Sequence, residues 1–87
     1  MDQNCRYKKQ MGLLLDKVDG KYYAITDFMA FELNEVGARI LDLCNGENDL
    51  RSIAKKLANY YGQDIETVSD HVSSYIEVLL SNNLVKV

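Results

Sequence analysis

The sequence predicts an α+β unit: a three-stranded antiparallel β-meander followed by a three-helix bundle. Three observations predict it. Asp19-Gly20 sits between two runs of strand-forming residues. Polar capping residues at Asn34, at Asn48 or Asp49, and at Asp64 each open a stretch with apolar residues at helical spacing. Gly46, Gly62 and Asn82-Asn83 close those stretches.

The strands come first. Residues 12–18 and 21–26 flank Asp19-Gly20, the strongest short-range hairpin pattern, because both central positions of such a turn need positive φ. A third run, 29–33, follows Asp27-Phe28 through a tight turn without glycine. Asn34 then caps a helix carrying Val36, Ile40 and Leu43 on one stripe. In the second helix Leu50, Ile53, Ala54, Leu57, Ala58 and Tyr61 keep the i, i+3, i+4, i+7 pattern up to Gly62. The third and longest helix covers about residues 65–82, and 84–87 form a short extended tail.

Eighty-seven residues make one domain, 1–87, whose first eleven residues are expected to be disordered. Nothing approaches the ~18 apolar residues that span a bilayer. The N-terminus lacks the apolar core of a secretory signal, so the expected compartment is the cytoplasm, with no membrane partner. Cys5 and Cys44 are too few for a disulfide framework or a zinc site. Cys44 reads as a small core residue at the end of the first helix.

Three short-linked helices with a small sheet also describe a winged helix-turn-helix, which raises DNA binding. Charge argues against it. Lys and Arg number 10 against 13 acidic residues, for a net charge of −3. Helix three, the natural recognition helix, has no cation, whereas Asp64, Glu66, Asp70 and Glu77 are acidic. Catalysis finds no constellation either. His71 is the single histidine, and its neighbours Ser69 and Asp70 point about 100° apart on successive helix positions. The five glycines stand singly, without a phosphate-cradling loop. The expectation is a non-enzyme without cofactor or metal.

The third helix carries more apolar face than one contact needs. Ile65, Val68, Val72, Ile76, Leu79 and Leu80 occupy an arc of about 120°, and Tyr75, His71, Val78 and Asn82 widen the uncharged side to about 200°. Two readings stay open: the extra stripe packs under the sheet, or His71, Tyr75 and Val78 line an open groove. Met29, Ala30, Phe31, Glu32 and Leu33 form an edge strand of the meander, without the Pro, Lys or bulge that usually blunts an edge. An extended peptide could pair there and drop alternate side chains against helix three. On this reading Phe31→Pro removes an edge donor, and the acidic helix favours a cationic, salt-sensitive ligand.

The order of Leu-Asn-Glu-Val-Gly-Ala-Arg-Ile at 33–40, Gly46, Ile-Ala-Lys-Lys-Leu-Ala at 53–58, Tyr61-Gly62 and Asn83-Leu84-Val85 resembles the PqqD-like family over most of the chain. The resemblance implies a RiPP recognition element: a peptide chaperone that binds the leader region of a ribosomally made precursor peptide. By that resemblance the leader would lie as an added strand on the third strand, against the third helix. Phe28, Met29, Ala30, Phe31, Glu32, Leu33, Val68, His71, Val72, Tyr75 and Val78 would then form the peptide site. The implied partner is a separate enzyme of natural product biosynthesis, a radical-SAM protein or a lasso-peptide leader peptidase and cyclase, with no nucleic acid. Residues 5–10 have no clear counterpart in the family.

Overall fold

A computed structural model describes residues 5–87. Among the described residues, six strands form two antiparallel sheets, joined by three helices. The meander is β2 (Leu14–Val18), β3 (Lys21–Ile25) and β4 (Ala30–Leu33), in that order across the sheet. Asp19 and Gly20 have φ of 51° and 80°, as the two-residue turn requires. The turn into β4 manages without glycine because Thr26 organises it. The Thr26 hydroxyl accepts from the Phe28 and Met29 amides at 3.3 and 3.2 Å, and its own amide donates to the Met29 carbonyl at 2.9 Å.

The helices are α1 (Glu35–Leu43), α2 (Leu50–Tyr61) and α3 (Ile65–Ser81). Asn34, Asp49 and Asp64 cap them, each side chain accepting an amide three residues on. Of the two capping candidates for α2, the fold uses Asp49, whose carboxyl the Ser52 amide holds below its ordinary value. Asn48 is instead buried, donating to the Leu43 carbonyl at 3.0 Å and accepting from Lys56 at 2.8 Å. Gly62 closes α2 in the left-handed conformation, φ 65°.

The sequence reading contains one sheet; the structure has two. β1 (Arg6–Lys9) lies between β5 (Asn45–Asp49) and β6 (Val85–Lys86). The disorder expected over residues 1–11 is therefore corrected for Arg6–Lys9, while residues 1–4 of that segment lie outside the described residues. Tyr7 explains the difference: it points into the core and is only 2% exposed. Lys9 adds a polar tie, its ammonium donating to the Asp42 and Cys44 carbonyls at the open end of α1. Core side chains from both sheets and all three helices form one cluster, including Tyr7, Ala24, Ile40, Leu41, Ile53, Val72, Ile76 and Leu79.

Candidate functional site

A three-stranded meander has two free edges, β2 and β4, and they are not equivalent. Val18 and Lys21 close the two-residue turn as a hydrogen-bonded pair, so Leu14, Asp16 and Val18 bond β3. Alternation then turns Tyr22 and Ala24 toward β4, where they meet Leu33 and Phe31. The Thr26 amide bond to the Met29 carbonyl continues the same parity. Phe31 and Leu33 thus spend their backbone groups inside the sheet. Ala30 and Glu32 aim theirs outward, along the open edge.

That register corrects one sequence expectation: the outward donors belong to Ala30 and Glu32, not to Phe31. The edge of β2 is guarded. Lys17 sits on its inner face, folded over the Tyr22 ring at 5.1 Å, and an inward charge at an edge discourages pairing. β4 has no such guard.

The edge of β4 opens at one end on a cleft of about 430 Å³. Phe28, Met29 and Phe31 line it, facing Asn82 and Asn83 at the C-terminal end of α3. Phe28 is 94% exposed, and so nearly is Met11 across the cleft, at 93%. Near the N-terminal half of α3 lies a second, mostly apolar pocket of about 350 Å³, formed by Val36, Leu57, Tyr61, Val68, His71 and Val72. Tyr61 is fixed there by donating to Glu35 at 3.1 Å, and Glu35 also meets Arg39 at 3.7 Å.

Tyr75 lies on α3 between these two hollows. Its ring lies over the α1 backbone at Gly37, in the space a Cβ there would fill. The width of the uncharged α3 face divides accordingly. Val72, Ile76 and Leu79 are buried, and Tyr75 is half-buried. His71 and Val78 are exposed, Val78 at 52%. On the β4 side, Ala30 and Glu32 are exposed, while Leu33 is buried and, with its backbone bonded to β3, gives the open edge neither side chain nor backbone.

The acidic residues of α3 do not face this flank. At 100° per residue Glu66, Asp70 and Glu77 centre about 130° round from His71, Tyr75, Val78 and Asn82. The carboxylates beside the open edge are Glu32 on β4 and Asp27 in the cleft at its end. Sequence reasoning missed Val36, Gly37, Leu57, Tyr61 and the lip at Met11. Only Gly37 advertised itself, as a glycine inside a helix.

The family model described as coenzyme PQQ synthesis protein D (PqqD) matches residues 12–85. The chain belongs to that family. β1 precedes the matched residues. A PqqA binding protein of Methylococcus capsulatus is 38% identical over 55 residues, 63% of this chain and 57% of the relative. The match thus spans little more than half of that relative's length. Two solved structures share the fold. One is the PqqD truncation of Methylobacterium extorquens PqqCD, a stand-alone RiPP recognition element, with TM-score 0.81 at 18% identity over 93% of this chain and 88% of that one. The other is TbiB1 in complex with the TbiA(beta) leader peptide, with TM-score 0.77 at 20% identity over 91% and 94%. No helix among the described residues is long and apolar enough to cross a membrane.

Proposed function

We propose that this chain captures the leader region of a ribosomally synthesised precursor peptide as an extra strand on β4 and presents it to a separate modifying or processing enzyme. The observation that carries the reading is the unguarded edge at Ala30 and Glu32, which opens on the cleft that Phe31 shares with Asn82 and Asn83 at the end of α3. Backbone pairing supplies register, and the two hollows accept apolar anchors. A PqqA binding protein among the relatives, and a leader peptide bound to a protein of the same fold, support it. The helical unit and its hairpin are a winged helix-turn-helix turned from DNA to peptide, since α3 carries no cation for phosphate.

The chain does no chemistry itself. A disordered leader that folds onto β4 holds its core segment near the enzyme at raised effective concentration. The enzyme is a radical-SAM protein or a lasso-pathway leader peptidase and cyclase. A short strand with a few apolar anchors suits a Kd near micromolar, about −8 kcal/mol.

An amide-resolved NMR titration with the leader of the cognate precursor tests this. Shifts confined to residues 28–33 and to the His71, Tyr75 and Val78 flank are expected. Absence of shifts at millimolar peptide would sink stand-alone capture and leave a subunit that binds only its enzyme.

A further inference from the structure

The outer face of the meander carries its side chains in rows that run straight across the sheet to the open edge. Leu14, Ile25 and Ala30 form one row by register, and Leu14 is 65% exposed. Asp16, Tyr23 and Glu32 form the next. The first row is apolar throughout, and the second ends on an acid at each edge. Glu32 is loosely held, since its partner Lys21 stands 4.0 Å away and both side chains are about three-fifths exposed (62% and 60%). Edge positions commonly carry Lys, which repels a further strand's cations; this one presents a carboxylate.

An added strand continues these rows, because residues directly opposite share a face. We propose that the captured peptide bears a Lys or Arg opposite Glu32 and, two residues away, an apolar residue opposite Ala30. Between them, opposite Phe31, stands an apolar residue turned to the inner face. Its neighbours there are Phe31 and the uncharged α3 flank. The substrate class is therefore a leader with one cation and two apolar residues in three consecutive positions. The cation's place in that triplet reports strand direction: first if the peptide runs antiparallel to β4, last if parallel. This inference rests on the strand-addition reading and adds a selection rule to it.

The test is selection from a randomised phage-displayed heptapeptide library on the full chain and, in parallel, on Glu32→Lys and Glu32→Gln. The wild type should enrich the triplet with Lys or Arg at its end. Glu32→Lys should exchange that residue for Asp or Glu, and Glu32→Gln should relax it. With synthetic wild-type-selected peptides, replacing the cation by Glu should weaken binding about fivefold to the wild type and not to Glu32→Lys. Enrichment of alternating apolar peptides with the same terminal residue on all three proteins overturns the selection rule and leaves strand capture standing. Failure of the wild type to enrich any peptide overturns capture and the rule together. Glu32→Gln, which keeps size and shape, decides the matter if Glu32→Lys unfolds.

Discussion

Gly37 has no side chain because the Tyr75 ring occupies the space beside it. The two residues are coupled across α1 and α3, and Gly37→Ala should separate their structural and functional parts. Alanine favours a helix over glycine by about 1 kcal/mol, while the contact is made by the far, hydroxyl end of the Tyr75 side chain, which can swing aside. The expected stability change is therefore within about 1 kcal/mol by urea denaturation. Leader affinity should fall several-fold as the ring moves into the groove, and Tyr75→Ala in the same chain should remove that penalty. Unchanged affinity would mean that Tyr75 does not border the bound peptide. The glycine's place in a helix was visible in the sequence, but its partner, thirty-eight positions on, was not. Cys44 was legible outright as a small core residue. It is wholly buried, which pushes its thiol up to about 11. The unfolded thiol ionises near 8.5, so above that pH the unfolded state sheds a proton that the folded state keeps. Stability should therefore hold below about pH 8.5 and decline toward pH 11, by at most about 1.4 kcal/mol per pH unit. Cys44→Ala should flatten that decline, and a slope equal to the wild type's would assign it to other groups.

Among elements, β4 shows how much depends on register. The Asp19-Gly20 turn was readable in sequence because its chemistry is local. Its consequence two strands away, which residues of β4 face outward, emerges once the pairs are known. Prolines separate the two sets. Phe31→Pro removes a donor used by β3 and should destabilise the fold by about 1–3 kcal/mol. Glu32→Pro removes an outward donor, so it should cost less stability and abolish leader binding. Thermal melts and peptide titrations of both variants check this, and normal binding by folded Glu32→Pro would rule out pairing at this edge. The same spatial reasoning revises the salt dependence. Sequence composition made α3 look like an acidic wall, but its carboxylates lie on the flank turned from the groove. Glu32 stands beside the edge and Asp27 lines the cleft at its end, so raising salt from 50 to 500 mM should weaken binding by no more than about fivefold. A hundredfold loss would restore α3 as the source of attraction.

For the molecule as a whole, the second sheet is what local patterns could not reveal. β1 pairs with β5 about forty residues on and with β6 nearly eighty on. Such partners follow from burial of the whole chain, not from turn or cap chemistry. Arg6–Lys9, three cations and a single aromatic, offered no local signal beyond Tyr7 itself. Yet this strand and the residue after it tie the end of α1 to the segment that follows α3: Lys9 donates its amide to Cys44 and Gln10 donates to Leu84, each at 3.0 Å. An 87-residue domain has only about 4–13 kcal/mol of stability in total. Tyr7→Ala should remove about 3–5 kcal/mol of it, the usual cost of emptying a buried aromatic site. Because Tyr7 belongs to the same core cluster as Ala24 of the meander and Ile76 of α3, the loss should appear as one cooperative transition moved to lower urea, with an unchanged slope. Far-ultraviolet circular dichroism and tyrosine fluorescence should report the same midpoint. If instead β1 and β6 melted first, leaving the meander and helices folded, the second sheet would be an appendage, and leader binding would survive the substitution undiminished.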